Sequence, residues 1–226
     1  MAIVRRLVHR SPDEAENDTV GWLFSGVAVV NAVLLAFVVF AVYERYSSLR
    51  ETVTEEAAAL VVVYRDTQTL PQPAKGEAQR ALLTYTTFVM ANEWQTHGLV
   101  RPHQTPDALN AVWSAYRSVS PLDSGMEGRL HELERQRHLR HLASEASLPG
   151  VFWPLLVTGA AVTVVSSFFF AMKRAWVQGV LTVSLTAILA GSVLLIWSLN
   201  RPFTGPSPIS KTPFLHALQE FSALDK

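Results

Sequence analysis

Val20–Tyr43, VGWLFSGVAVVNAVLLAFVVFAVY, runs for about twenty-four residues without a charged side chain, and about twenty are enough for a helix to cross the hydrocarbon core of a bilayer. The helices of soluble cores do not need such a run. A secretory signal core is about 7 to 15 residues and sits near the chain start. Here the run follows the acidic stretch Asp13, Glu14, Glu16 and Asp18 and has no small-x-small cleavage pattern before Tyr43. It is therefore expected to be a retained span.

The composition agrees. Hydrophobic residues make up 49% of the 226 and charged residues 17%, with the apolar ones gathered into blocks, the pattern of an integral membrane protein. Nineteen basic residues balance nineteen acidic ones, so no net field recruits nucleic acid. The absence of cysteine excludes a disulfide framework, thiolate metal sites and a cysteine nucleophile.

Outward from the first span the chain divides as follows. Residues 1–19 form a juxtamembrane leader, 20–43 a transmembrane helix and 44–150 a helical polar region. Residues 151–172 form a second span, 173–175 a short turn, 176–199 a third span and 200–226 a tail. In the polar region Arg50–Asp66 has helical periodicity, with Val53, Ala57, Leu60, Val61 and Tyr64 on one stripe. Leu70-Pro71-Gln72-Pro73 stops it. Glu77–Thr96 is a second helix with Leu82, Tyr85, Val89 and Trp94 or its neighbours inward. Thr105-Pro106-Asp107 opens a third, and the charged run Met126–Ser147 is a fourth. Lys173-Arg174 is too short a link for anything but an antiparallel hairpin of the last two spans. Both carry small residues (Gly159, Ala160, Thr163; Gly179, Ser184, Gly191) that let helices approach closely in lipid. Trp153, Trp176 and Trp197 fall near span ends, where indoles favour the headgroup zone. Phe214–Leu224 is a short amphipathic tail helix. The predicted fold is all-α and integral to the membrane, one span and then a hairpin of two. Basic residues near the span ends number seven on the polar-region face and five on the other, a small excess that favours a cytoplasmic polar region and tail.

Two constellations carry possible chemistry. His131, Glu134, His138 and His141 share a helix face at metal-ligand spacing, but a helix this rich in Arg and Glu reads more simply as a solvated or interface face. No metal or other cofactor is assigned. No nucleophile elbow, phosphate-binding loop or paired-carboxylate site is recognisable, so an enzyme is not expected. Asn31 is the polar residue that matters in the first span, because a mid-span amide is costly without a partner. Two readings are open: a bond to a neighbouring helix, or a pore-facing group with Val27, Leu34 and Val38 as an apolar stripe that gates by dewetting.

Several pieces in order resemble the bacterial bestrophin-like family of unknown function. They are Asn17-Asp18 and Gly21 leading to Ala32–Phe37, then Glu55–Pro71 with Glu55, Tyr64, Arg65 and Pro71, then Tyr85 with Glu93-Trp94. Pro149 with Trp153 and Arg201-Pro202-Phe203 with Gly205 complete the set. The resemblance implies an inner-membrane, lipid-embedded homo-oligomer, a pentamer by analogy, that passes small ions, mostly anions, with Val20–Tyr43 lining the pore. Members usually have one more span before Asn17, to which only Met1–Val8 corresponds here, so two readings are open: a chain that begins late or a three-span variant. Without it the leader lies outside the cytoplasm when the polar region lies inside. The acidic run that holds calcium in animal bestrophins is not matched, since the tail has only Glu220 and Asp225. The competing expectation is a membrane-anchored interaction or sensing module, whose segment Arg50–Ser147 would fold alone and retain a partner.

Overall fold

The structure, a computed structural model, describes residues 14–94, 108–119, 124–169 and 174–225. The leader arginines Arg5, Arg6 and Arg10, the Met1–Val8 stretch, the start Thr105-Pro106-Asp107 and Lys173 lie outside the described residues, as does the side chain of Glu93.

Among the described residues the fold is all-helical. The helices are α1 (Glu14–Asp66), α2 (Ala74–Phe88, continuing as a π-turn over Val89–Glu93), α3 (Ala108–Arg117), α4 (Ser124–Glu145), α5 (Phe152–Ser167), α6 (Ala175–Leu199) and α7 (Thr212–Leu224). The expected first span and the expected helix after it are one element of 53 residues. The sequence explains the fusion, because neither glycine nor proline occurs from Val27 to Leu70 and no residue there interrupts the hydrogen-bond ladder. The helix ends where Pro71 forces Leu70 into extended backbone (ψ 143°). Thr67 Oγ1 donates to Tyr64 O at 2.6 Å and Thr69 Oγ1 to Asp66 O at 2.8 Å, which satisfies carbonyls the helix end leaves open.

α1 and α6 are long and apolar enough to cross a membrane; α5 is a shorter apolar helix of 16 residues, against the twenty-two expected for 151–172.

The chain forms two compact units. One is built from the chain up to Tyr43 and Leu148–Ser198, the other from Glu44–Ser147 and the chain from Leu199 onward. In the membrane unit many apolar side chains are exposed, among them Val29, Phe37, Phe40, Val162, Val183 and Ile188, while Asn31, Thr163, Ser167 and Thr182 are buried. Ser167 and Thr182 hydroxyls lie 3.4 Å apart. That arrangement inverts the soluble pattern and suits a hydrocarbon solvent.

The second unit is an ordinary water-soluble core. Leu49, Val53, Ala57, Leu60, Val63 and Tyr64 of α1 meet Leu82, Tyr85 and Val89 of α2, Val112 and Tyr116 of α3, Leu130 and Leu133 of α4, and Phe214 and Phe221 of α7. Tyr64 and Phe221 stack at 4.0 Å. Burying each such side chain is worth about 1.5–3 kcal/mol. The tail is thus part of the same core as the polar region, not an appendage to it.

Candidate functional site

The surface most suited to a function in the membrane is the face of α1 that its own unit leaves open. Helical periodicity puts Val29, Val33, Phe37 and Phe40 on one side, and they are 60%, 49%, 71% and 65% exposed. The opposite side, Asn31, Leu35, Val38 and Val42, is buried. The expected stripe Val27, Asn31, Leu34, Val38 is therefore divided: Val27 is exposed, Leu34 half-buried, Asn31 and Val38 covered.

Asn31 packs on Gly159 of α5. A Cβ at Gly159 would fall well inside contact distance of Asn31 Oδ1, so the glycine makes the niche that the amide occupies. Neither Asn31 Oδ1 nor Nδ2 has a hydrogen-bond partner among the described residues. Of the two readings of Asn31, the geometry shows a residue turned to a neighbouring helix, joined to it by close packing and not by a bond.

The polar unit gathers several of the family-type positions into two groups. Trp94 is buried, donates Nε1–H to Ile209 O at 2.9 Å, and meets Phe203 and Phe214 edge-on at 5.2 and 5.5 Å. The Arg201–Gly205 turn that carries Phe203 is closed by Gly205 N donating to Arg201 O at 2.8 Å, and Ile209 N donates to Pro202 O at 2.7 Å. Trp94 and Arg201-Pro202-Phe203-Gly205, far apart in sequence, therefore form one cluster. Lys211 Nζ adds a bond to Met90 O in the π-turn at 2.7 Å. In the second group Tyr64 donates to Asp225 Oδ2 at 2.5 Å, with Gln79 Nε2 at 3.1 Å from Oδ1. Of the rest, Glu55, Arg65 and Pro71 are exposed on the polar unit, while in the other unit Pro149 is exposed and Trp153 half-buried.

The residue pattern missed the most buried charges among the described residues. Glu56 and Arg140 form an ion pair with side chains 0% and 2% exposed, and Tyr85 donates to the same carboxylate. Glu56 lies between Val53 and Leu60 on the inward stripe of α1, and Arg140 continues the Leu133 and Gln136 phase of α4. A charge at an apolar phase position was the available signal. Asp66–Arg129 is a second cross-helix pair. Burial pushes the Tyr85 phenol well up, with Glu56 adding to it. Burial likewise raises Tyr64, helped by its bond to Asp225, and Tyr116, helped by the charge of Asp66. Arg135 and Gln136 hold the Glu132 carboxyl down at about 2.

The histidine row does not assemble as a metal site among the described residues. Glu134 accepts Trp113 Nε1–H at 2.6 Å, His131 lies 4.9 Å from the Trp113 ring, His138 is exposed and His141 is buried.

Two helices long and apolar enough to cross a membrane, in a chain that also forms a helical polar unit, fit an α-helical membrane protein. Residues 1–214 match the family model of the Bestrophin-like domain, and the chain belongs to that family. Its fold is similar to crystal structures of a bacterial bestrophin homolog from Klebsiella pneumoniae. With a tryptophan-to-alanine variant of that homolog the TM-score is 0.70 at 16% identity, over 89% of this chain and 84% of that one. With a leucine-to-threonine variant it is 0.70 at 15%, over 89% and 86%. The crystal structure of a membrane protein carrying a proline-to-alanine substitution gives 0.69 at 16%, over 89% and 86%. A comparison with curated proteins finds no match.

Proposed function

We propose that the chain is one protomer of a homo-oligomeric pore for small ions, with α1 arranged around the axis and Val29, Val33, Phe37 and Phe40 turned toward it. The observation that carries this is the open apolar face of α1, 49–71% exposed at those four positions, on a helix whose other side is filled by its own unit. Membership of the Bestrophin-like family supports the same reading. Rings of Val and Phe make a constriction that conducts only when wetted. The spans are 20–43, 151–172 and 176–199, the membrane is the inner one, and the polar unit with its tail is cytoplasmic. The activity is transport and not catalysis.

The test is current through planar bilayers containing the purified oligomer. Phe37→Ala and Phe40→Ala widen and wet the constriction and are expected to raise the current, while Val162→Ala on the exposed side of α5 leaves it unchanged. An oligomer that passes no small ion in any variant removes the proposal.

A second reading, an anchored docking module, has one observation behind it: the polar unit has its own core. Because that core includes Phe203, Ile209, Phe214 and Phe221, the segment Arg50–Ser147 is not a sufficient test of it. Residues 44–147 joined to 199–226 are the smallest piece that keeps the core, and binding of a protein partner by that piece without any bilayer current favours this reading.

A further inference from the structure

In the polar unit a groove of about 600 Å³ lies between α1 and α7, and its lining includes Arg50, Thr54, Ala57 and Val61 of α1 and Ala217 and Glu220 of α7. We propose that this groove takes helix α4 of a second copy of the chain, with Leu139 and Leu142 of that copy on its apolar floor and Glu145 against Arg50. The contact rests on the ring proposed above, with the open face of α1 toward its axis.

Two helices flank α1 in the polar unit. The exposed row Thr54, Ala58, Val62 and Arg65 repeats at helical spacing. On one side of that row α4 is tied to α1 by Asp66–Arg129. On the other α7 is tied to it by the Tyr64–Phe221 stack and borders the groove. When copies close a ring with the row inward, the α7 flank of one faces the α4 flank of the next, a heterologous contact that repeats around the ring.

Rotation about an axis along α1 leaves every residue at its own height, so the register within one chain fixes what meets between chains. α4 runs antiparallel to α1, since Asp66 pairs with Arg129 and Glu56 with Arg140. At an equal rise per residue, Ala57 comes level with Leu139, Thr54 with Leu142 and Arg50 with Glu145. α7 runs parallel to α1, with Phe221 at Tyr64 and Asp225 at Gln68, which brings Glu220 close to the height of Arg135. Leu139 and Leu142 are 37% and 51% exposed, two large apolar side chains one turn apart, and the small side chains of Ala57 and Ala217 leave room for them. Neither Arg50 nor Glu145 is ion-paired within its own chain among the described residues. Arg135 holds Glu132 through Nε and Nη2, which leaves Nη1 for Glu220. Opposite charges therefore meet at both ends of the groove, with apolar groups between them.

The chain has no cysteine, so the contact is read by disulfide trapping, which joins only Cα atoms within about 7 Å. A full-length Thr54→Cys chain and a full-length Leu142→Cys chain are co-expressed, extracted in detergent and oxidised. A covalent dimer with one chain of each kind is expected, while each variant alone stays monomeric on a non-reducing gel. Leu83→Cys, exposed on α2, should give no dimer in place of Leu142→Cys. Arg50→Glu in the first chain should lower the dimer yield roughly five-fold, the scale of one partly exposed ion pair, and Glu145→Arg in the second should restore it. Absence of the dimer from chains that native mass spectrometry shows to be oligomeric, equal trapping by Leu83→Cys, or no effect of Arg50→Glu would overturn the proposal and leave the pore reading standing. So would a small molecule retained by the untrapped oligomer and lost in Arg50→Glu, which would assign the groove to a free ligand. A parent chain that is monomeric in detergent would overturn this proposal and the pore reading together.

Discussion

At the scale of single residues, the structure turns on a few polar groups placed where apolar ones are the rule. The Gly159 niche is the tightest. Gly159→Ala sets a methyl against a buried amide that has little room to turn, and a loss of about 1–3 kcal/mol is expected for such overpacking, read as a lower thermal midpoint in detergent. Asn31→Ala in the same chain should restore most of it, and a non-additive double-mutant cycle is the check. Glu56–Arg140 makes a second prediction. Arg140→Met strands a buried carboxylate and should cost about 3–5 kcal/mol, whereas Glu56→Leu with Arg140→Met should lie much nearer the parent. A third concerns pH. The folded-state phenols of Tyr64, Tyr85 and Tyr116 are raised above the ordinary value of about 10, so their contribution is complete below that pH and is lost as pH climbs through the raised values. Stability of the polar unit should therefore fall on alkalinisation beyond about pH 10, and Tyr85→Phe should flatten the decline in a midpoint-against-pH series. The inward phase of Leu82, Tyr85 and Val89 was legible from periodicity alone, whereas the choice of Trp94 over its neighbours depended on the π-turn over Val89–Glu93. The Glu56–Arg140 contact was not, because pairing across 84 residues is set by how helices pack and no local pattern encodes it.

At the scale of elements, α1 and α7 show where local sequence suffices and where it does not. Both ends of the reading for α1 were available: an uncharged run long enough to span and a proline that stops the helix. Its continuity also followed from the missing glycines and prolines, yet periodicity treated the two stretches separately, since their apolar faces serve different solvents. The orientation of Asn31 needed the partner helix, because a mid-span amide satisfies a neighbour or a pore equally well in sequence. For α7 the amphipathic pattern announced a helix but not its role. Phe214 and Phe221 are 0% and 1% exposed, so α7 is a core element, held also through the Tyr64–Asp225 bond. Removing residues 212–226 is expected to unfold the polar unit and not merely shorten it, seen as loss of protease resistance across residues 44–147. Tyr64→Phe should cost only about 1 kcal/mol, the worth of one hydrogen bond, because the Phe221 stack remains.

At the scale of the whole molecule, the composition blocks announced a membrane protein, and the ordered motif pieces announced the family that the chain-wide match shows. The grouping of the tail with the polar region was hidden, since nothing in residues 199–226 names the side chains they cover. The open face of α1 makes the last prediction. If copies of α1 enclose a common axis, crosslinking through Val33→Cys should join neighbouring protomers, while Val183→Cys, exposed on α6, should yield monomers. One further consequence follows from the polar unit being closed by α7, which comes after the apolar helices in sequence. A ribosome delivers sequence in order, so the residues from Leu199 emerge only after α1, α5 and α6. Until then Tyr64 lacks its stacking partner Phe221 and Trp94 lacks Phe203 and Phe214. The polar unit therefore stays unsealed while the apolar helices that precede α7 have already been made, and a nascent chain halted before Phe214 leaves open the surfaces that Phe214 and Phe221 cover.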